Sequence, residues 1–200
     1  MIAALLMSAA PVHAEEAPDM RGLYLQLIRQ ARSDGRPRAA LAYLDDFERR
    51  YPGDGEAGLL RVNSLIDLGQ IDAAEAVPLP AATADGGVFA VRGHLLAARG
   101  RWGEAAACYA QASGGSPADA PLRNAWGYAL VRAGQAGAAI GGLRGARDLA
   151  PQIAVIRNNL LLALMVGGRR AEAEAGLRRI GDEALRSKLA AEAARIGKGG

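Results

Sequence analysis

Aromatic residues make up only 4% of this 200-residue chain, with two histidines and one cysteine. Each scarcity removes a class of function. The single thiol, Cys108, can form no internal disulfide and has no metal-ligating companions at recognised spacing, which leaves it as a small apolar residue. With only His13 and His94, a Ser-His-Asp or Cys-His arrangement would have to be built on one ring. The positive excess is small, +3, and the densest basic spots, Arg169-Arg170 and Arg178-Arg179, are flanked by Glu172, Glu174 and Asp182. Nucleic acid binding needs a continuous basic stripe with stacking aromatics, and neither is present. Gly86-Gly87 and Gly114-Gly115 are not phosphate loops, since no Lys-Ser or Lys-Thr follows them; they read as turns between helices. No catalytic, cofactor or metal-binding residue is therefore expected, and the chain reads as a binding protein and not an enzyme.

What the sequence has is alanine and leucine, which dominate an apolar half, and few β-branched residues. That composition favours an all-α fold with enough apolar surface for a substantial core. Residues 1–14 run apolar from Ile2 to Ala10 and end in Val12-His13-Ala14, the outline of a signal-peptide core with a small-x-small cleavage site. The stretch is too short to span a bilayer. Export to the periplasm follows as an expectation, with an N-terminal tail at 15–20, a folded body at 21–196 and a flexible tail at 197–200.

The body is periodic. Gly35, Gly69, Gly100, Gly134 and Gly168 each follow an apolar helical stretch, spaced by 34, 31, 34 and 34 residues, and five residues after each comes Ala40, Ala74, Ala105, Ala139 or Ala173. Pro52, Pro117 and Pro151 mark the ends of units. Glycine turns the chain at the end of a first helix, alanine lets two helices cross closely, and proline stops the second helix. In the first unit Tyr24, Leu27, Leu44 and Phe47 fill the large-residue places, while Phe89, Gly93, Leu96 and Tyr109 mark the third and Trp126, Gly127, Leu130 and Leu143 the fourth. This pattern resembles the tetratricopeptide (TPR) repeat. It implies a right-handed TPR superhelix of about five helix pairs plus a capping helix from Asp182 to about Ile196. Pro78 and Pro80 should stop the second unit's second helix early, with a loop at Asp85-Gly86-Gly87.

In such repeats the first helices line a concave groove. Its positions here are Leu25, Arg29 and Arg32, then Leu59, Asn63 and Ile66, then Ala90, His94 and Ala97. Asn124, Tyr128 and Val131 continue it, followed by Asn158, Leu162 and Met165, the last two of which pack equally well under a terminal helix. A mostly apolar groove with a few amide and aromatic groups suits an extended segment or helix of a protein partner. A carboxylate clamp is not supported, because only Asn63 stands at the position that would need asparagine in several units.

The segments Leu122-Arg123-Asn124-Ala125-Trp126-Gly127-Tyr128-Ala129-Leu130 and Ile156-Arg157-Asn158-Asn159-Leu160-Leu161-Leu162-Ala163-Leu164, with the turn Gly168-Arg169-Arg170-Ala171-Glu172-Ala173-Glu174, resemble the TadD-type proteins of the tight-adherence (Flp) pilus system. The resemblance covers roughly residues 86–181. It implies an exported scaffold that supports assembly of an outer-membrane secretin. Members are usually lipoproteins, and Glu15 follows the expected cleavage site where they have cysteine, so the resemblance here implies a soluble periplasmic form. A general periplasmic scaffold, in cytochrome maturation or envelope maintenance, fits the same residues.

Overall fold

The computed structural model describes residues 19–80 and 86–198. Within these, eleven helices follow one another: α1 (Met20–Ser33), α2 (Pro37–Arg50), α3 (Gly55–Asp67), α4 (Ile71–Glu75), α5 (Gly86–Ala98), α6 (Trp102–Gly115), α7 (Ala120–Arg132), α8 (Ala136–Leu149), α9 (Ala154–Val166), α10 (Arg170–Leu177) and α11 (Glu183–Lys198). The first ten pack as consecutive pairs, and α11 lies against α9. The expected signal segment, 1–14, and residues 15–18 of the expected tail lie outside the described residues, whereas Met20 already belongs to α1.

The five periodic glycines all take the left-handed conformation, with φ between 69° and 77°. The residue after each donates its N–H to a carbonyl five positions back, as Arg36 does to Ala31 at 2.9 Å and Gln135 to Leu130 at 2.8 Å. This Schellman geometry satisfies the last carbonyls of the first helix and reverses the chain within three residues. Only glycine adopts it cheaply. The five alanines are all buried where the paired helices cross. Three first helices, α1, α3 and α7, begin on aspartate caps: Asp19, Asp54 and Asp119 accept from the backbone N–H of Gly22, Ala57 and Leu122 at 2.8–3.0 Å.

Packing is carried by a run of local clusters. Leu25, Ile28, Leu44 and Phe47 form the first, and Phe47 stacks obliquely on Tyr51 with centroids 4.7 Å apart. Val62, Leu65, Ala74 and Val91 bridge the second and third pairs, and one larger cluster runs from α6 to α11. Leu27, a core landmark in the repeat pattern, is instead 43% exposed. In the next unit the same position meets the preceding second helix, as Arg61 meets Glu48 of α2 at 2.8 Å; α1 has no such neighbour among the described residues.

Two second helices are short. Helix α4 has 5 residues and α10 has 8, against 14 in each of α2, α6 and α8. Pro78 and Pro80 account for the first, as expected. The turn readings of the double glycines are corrected: Gly86 and Gly87 open α5, and Gly114 and Gly115 close α6 before Ser116 ends it. Packing against neighbouring helices overrides glycine's weak helix propensity at both places. Asp85 lies outside the described residues. Asp182 caps the last helix as expected, accepting from Leu185 N–H at 3.1 Å, but that helix runs through Gly197 to Lys198, into the stretch expected to fray.

Candidate functional site

Because α3, α5 and α7 are the first helices of consecutive units, residues one repeat apart meet side by side. Asn63 and His94 occupy equivalent places, and His94 Nδ1 donates to Asn63 Oδ1 at 2.8 Å. In a neutral ring that tautomer leaves Nε2 as an acceptor. Burial is the main cause that lowers the His94 pKa below its ordinary value; nearby Arg32 lowers it further and Asp67 opposes. Neutral imidazole therefore prevails at pH 7. The His94 ring also leans on Tyr109, with centroids 5.5 Å apart.

These side chains wall a cleft of about 440 Å³. One side carries Arg32 and Asp67, an ion pair at 2.9 Å, and Ile66 and Ala97 provide apolar lining. The far side is aromatic: Trp102 meets Tyr128 edge-on at 5.7 Å. The Arg132 guanidinium sits 4.3 Å from the Trp102 ring centroid and donates to Tyr128 Oη at 3.1 Å. Cation–π contact and hydrogen bond together fix both rings. Arg132 is in turn held by Glu192 of α11 at 3.7 Å.

Of the residues expected to line the groove, Arg32, Asn63, Ile66, His94, Ala97 and Tyr128 come together in this cleft. Ala90 borders an adjoining cleft that shares His94. Leu59 packs against the Val62 cluster, and Asn124 Oδ1 accepts from Asn159 Nδ2 at 2.9 Å, joining α7 to α9. Asn158 faces a different cleft, formed by α8, α9 and α10. Three assignments are corrected: Leu25 is 1%, Val131 0% and Leu162 2% exposed, so none offers surface to a partner. Leu25 lies in the cluster of the first pair, whereas Val131 and Leu162 lie in the large cluster that includes Leu189 of α11, and Met165 packs against it. Asp67, Trp102 and Tyr109 were missed as cleft residues. Their signal is weak in sequence, because Trp102 and Tyr109 belong to a second helix, and only the close approach at Gly93 lets Tyr109 reach through.

Among the described residues no group of three His, Cys, Asp or Glu side chains could hold a metal ion, and no helix is long and apolar enough to cross a membrane. Burial raises the pKa of the half-buried Cys108 thiol above its ordinary value.

No protein-family model and no curated protein sequence matches the chain. Solved structures do. A thermophilic TPR protein of Thermus thermophilus superposes with a TM-score of 0.65 at 22% identity, covering 86% of this chain and 97% of that one. PilF of Pseudomonas aeruginosa gives 0.60 at 15% identity over 89% and 84% of the two chains. YrrB, a TPR protein with an unusual peptide-binding site, gives 0.53 at 16% identity over 82% and 89%. With the turn glycines, the crossing alanines and the paired helices in place, the chain has the fold of the tetratricopeptide-repeat superhelix.

Proposed function

We propose that this chain is a non-catalytic scaffold that binds an extended segment or helix of a protein partner in the cleft between α3, α5 and α7. The observation that carries this reading is the cleft itself. Apolar wall, aromatic edge and a neutral histidine lie together on a first-helix face, which is how a solenoid grips a peptide. YrrB, similar in fold, carries a peptide-binding site. The paired Arg-Asn helices resembling TadD proteins support a finer proposal: an exported, periplasmic protein, associated with the outer membrane through a pilus secretin or another assembly component.

The test is affinity purification of the tagged protein from its native envelope after crosslinking, with mass spectrometry of what is held. The wild type should recover a secretin or other pilus-assembly protein, and a variant combining Asn63→Ala with His94→Ala should lose it. Recovery of unrelated envelope proteins would reject the pilus role. Equal recovery by wild type and variant would reject this cleft as the site.

A further inference from the structure

The shortened α10 has a consequence away from the concave cleft. A full second helix would cover the N-terminal half of its partner α9, but α10 stops at Leu177, and a cleft of about 760 Å³ opens between α8, α9 and the turn into α11. Its floor is apolar: half-buried Ile180 and Leu185 lie over the edges of Leu160, Leu161 and Leu164, which are 5–8% exposed. Its walls carry four arginines, Arg144, Arg147, Arg157 and Arg179, against two acids, Glu172 and Asp182.

The acids are already engaged. Glu172 pairs with Arg144 and Arg169, and the Asp182 carboxylate caps α11. Arg147 reaches only its exposed neighbour Asp148 at 2.7 Å, and Arg157 donates to the Pro151 carbonyl at 3.3 Å. Arg179 has no side-chain hydrogen bond or ion pair among the described residues. The other short second helix leaves a contrasting cleft of about 710 Å³, where Arg61 is already bound to Glu48 and Asp45. Of these two clefts, the one beside α10 combines an apolar floor with spare positive charge.

We infer that this cleft is a second docking site, specific for a partner segment that presents leucine-like side chains flanked by carboxylates. The apolar groups would cover the leucine floor and the carboxylates would meet Arg147, Arg157 and Arg179 at the rim. A recessed floor walled by helices fits side chains entering singly better than it fits the flat face of a bilayer.

The probe is a fluorescein-labelled synthetic peptide of repeated Glu-Glu-Leu-Leu blocks, followed by fluorescence anisotropy against the full chain. A Gln-Gln-Leu-Leu peptide and phosphatidylglycerol vesicles serve as comparisons. Arg157 and Arg179 are exposed, so the Arg157→Glu, Arg179→Glu double variant should fold, which circular dichroism checks. The acidic peptide should bind, lose roughly tenfold or more in affinity in the double variant, and weaken as salt is raised. His94→Ala should leave its binding unchanged, so failure here and failure of the concave site are separate results. No binding of the acidic peptide, equal affinity for the glutamine peptide, or equal affinity in the double variant would overturn the inference. Vesicle binding lost in the double variant, with no peptide binding, would assign the surface to a membrane instead.

Discussion

Gly93 and Gly127 have no room for a side chain: a Cβ would lie 2.6 Å from Tyr109 Cε1 at the first and 2.5 Å from Leu143 Cγ at the second. Gly127→Ala should therefore lower stability by about 1–3 kcal/mol through overpacking. Exposed Gly141, inside α8 with nothing within 4 Å of its Cβ position, should gain about 1 kcal/mol as alanine. Urea unfolding midpoints of the two variants check the opposite signs. His94 supplies a pH effect of definite direction. Its folded pKa lies below the unfolded value of 6.5, so the unfolded chain binds the proton first as the medium is acidified. Stability is full above that value and falls as pH drops below it. His94→Gln should flatten the change in thermal midpoint between about pH 7 and pH 5.5. Carboxylates such as Asp46 and Asp54, whose folded pKa values are also lowered, lose their contribution at lower pH and affect both proteins alike. At this scale the small residues at Gly93 and Gly127 were legible in sequence because repeat register marks them. The Asn63–His94 hydrogen bond was not, because register places both on one face without setting their separation.

At the level of the helix, ends were written more clearly than lengths. The turn glycines specify where first helices stop, and Asp119→Ala, which removes a capping acceptor at 2.8 Å, should cost about 1 kcal/mol in the same unfolding assay. The short α4 could be read from Pro78 and Pro80, but α10 ends without a proline, at Arg178 and the turn to Gly181, and its early stop was missed. Helix α11 was legible as a cap, and Leu162 beneath it was one of two readings; the burial of Val131 in the same cluster was not legible. Repeat register correctly put Val131 and Leu162 on the first-helix face, yet whether a face stays open depends on a later element folding over it. Leu189→Ala in α11 should cost about 2–3 kcal/mol and speed amide exchange in α11 and α9 before the N-terminal pairs.

For the whole molecule, the architecture followed from periodicity, since helix packing runs mainly between adjacent units and local landmarks add up to the superhelix. The candidate site is less local. The cleft draws Arg32 from the first unit, Asn63 and Asp67 from the second, His94 and Trp102 from the third and Tyr128 from the fourth, so no single stretch of sequence announces it. The most direct measurement of the central claim is site-specific photocrosslinking in the native envelope from Ala97, which lines the cleft, and from Ala110, exposed on α6. One defined protein adduct is expected from Ala97, abolished by combining Asn63→Ala with His94→Ala, and none of that mass from Ala110. The same adduct from both positions, or none from Ala97, would contradict a partner-binding role for the cleft.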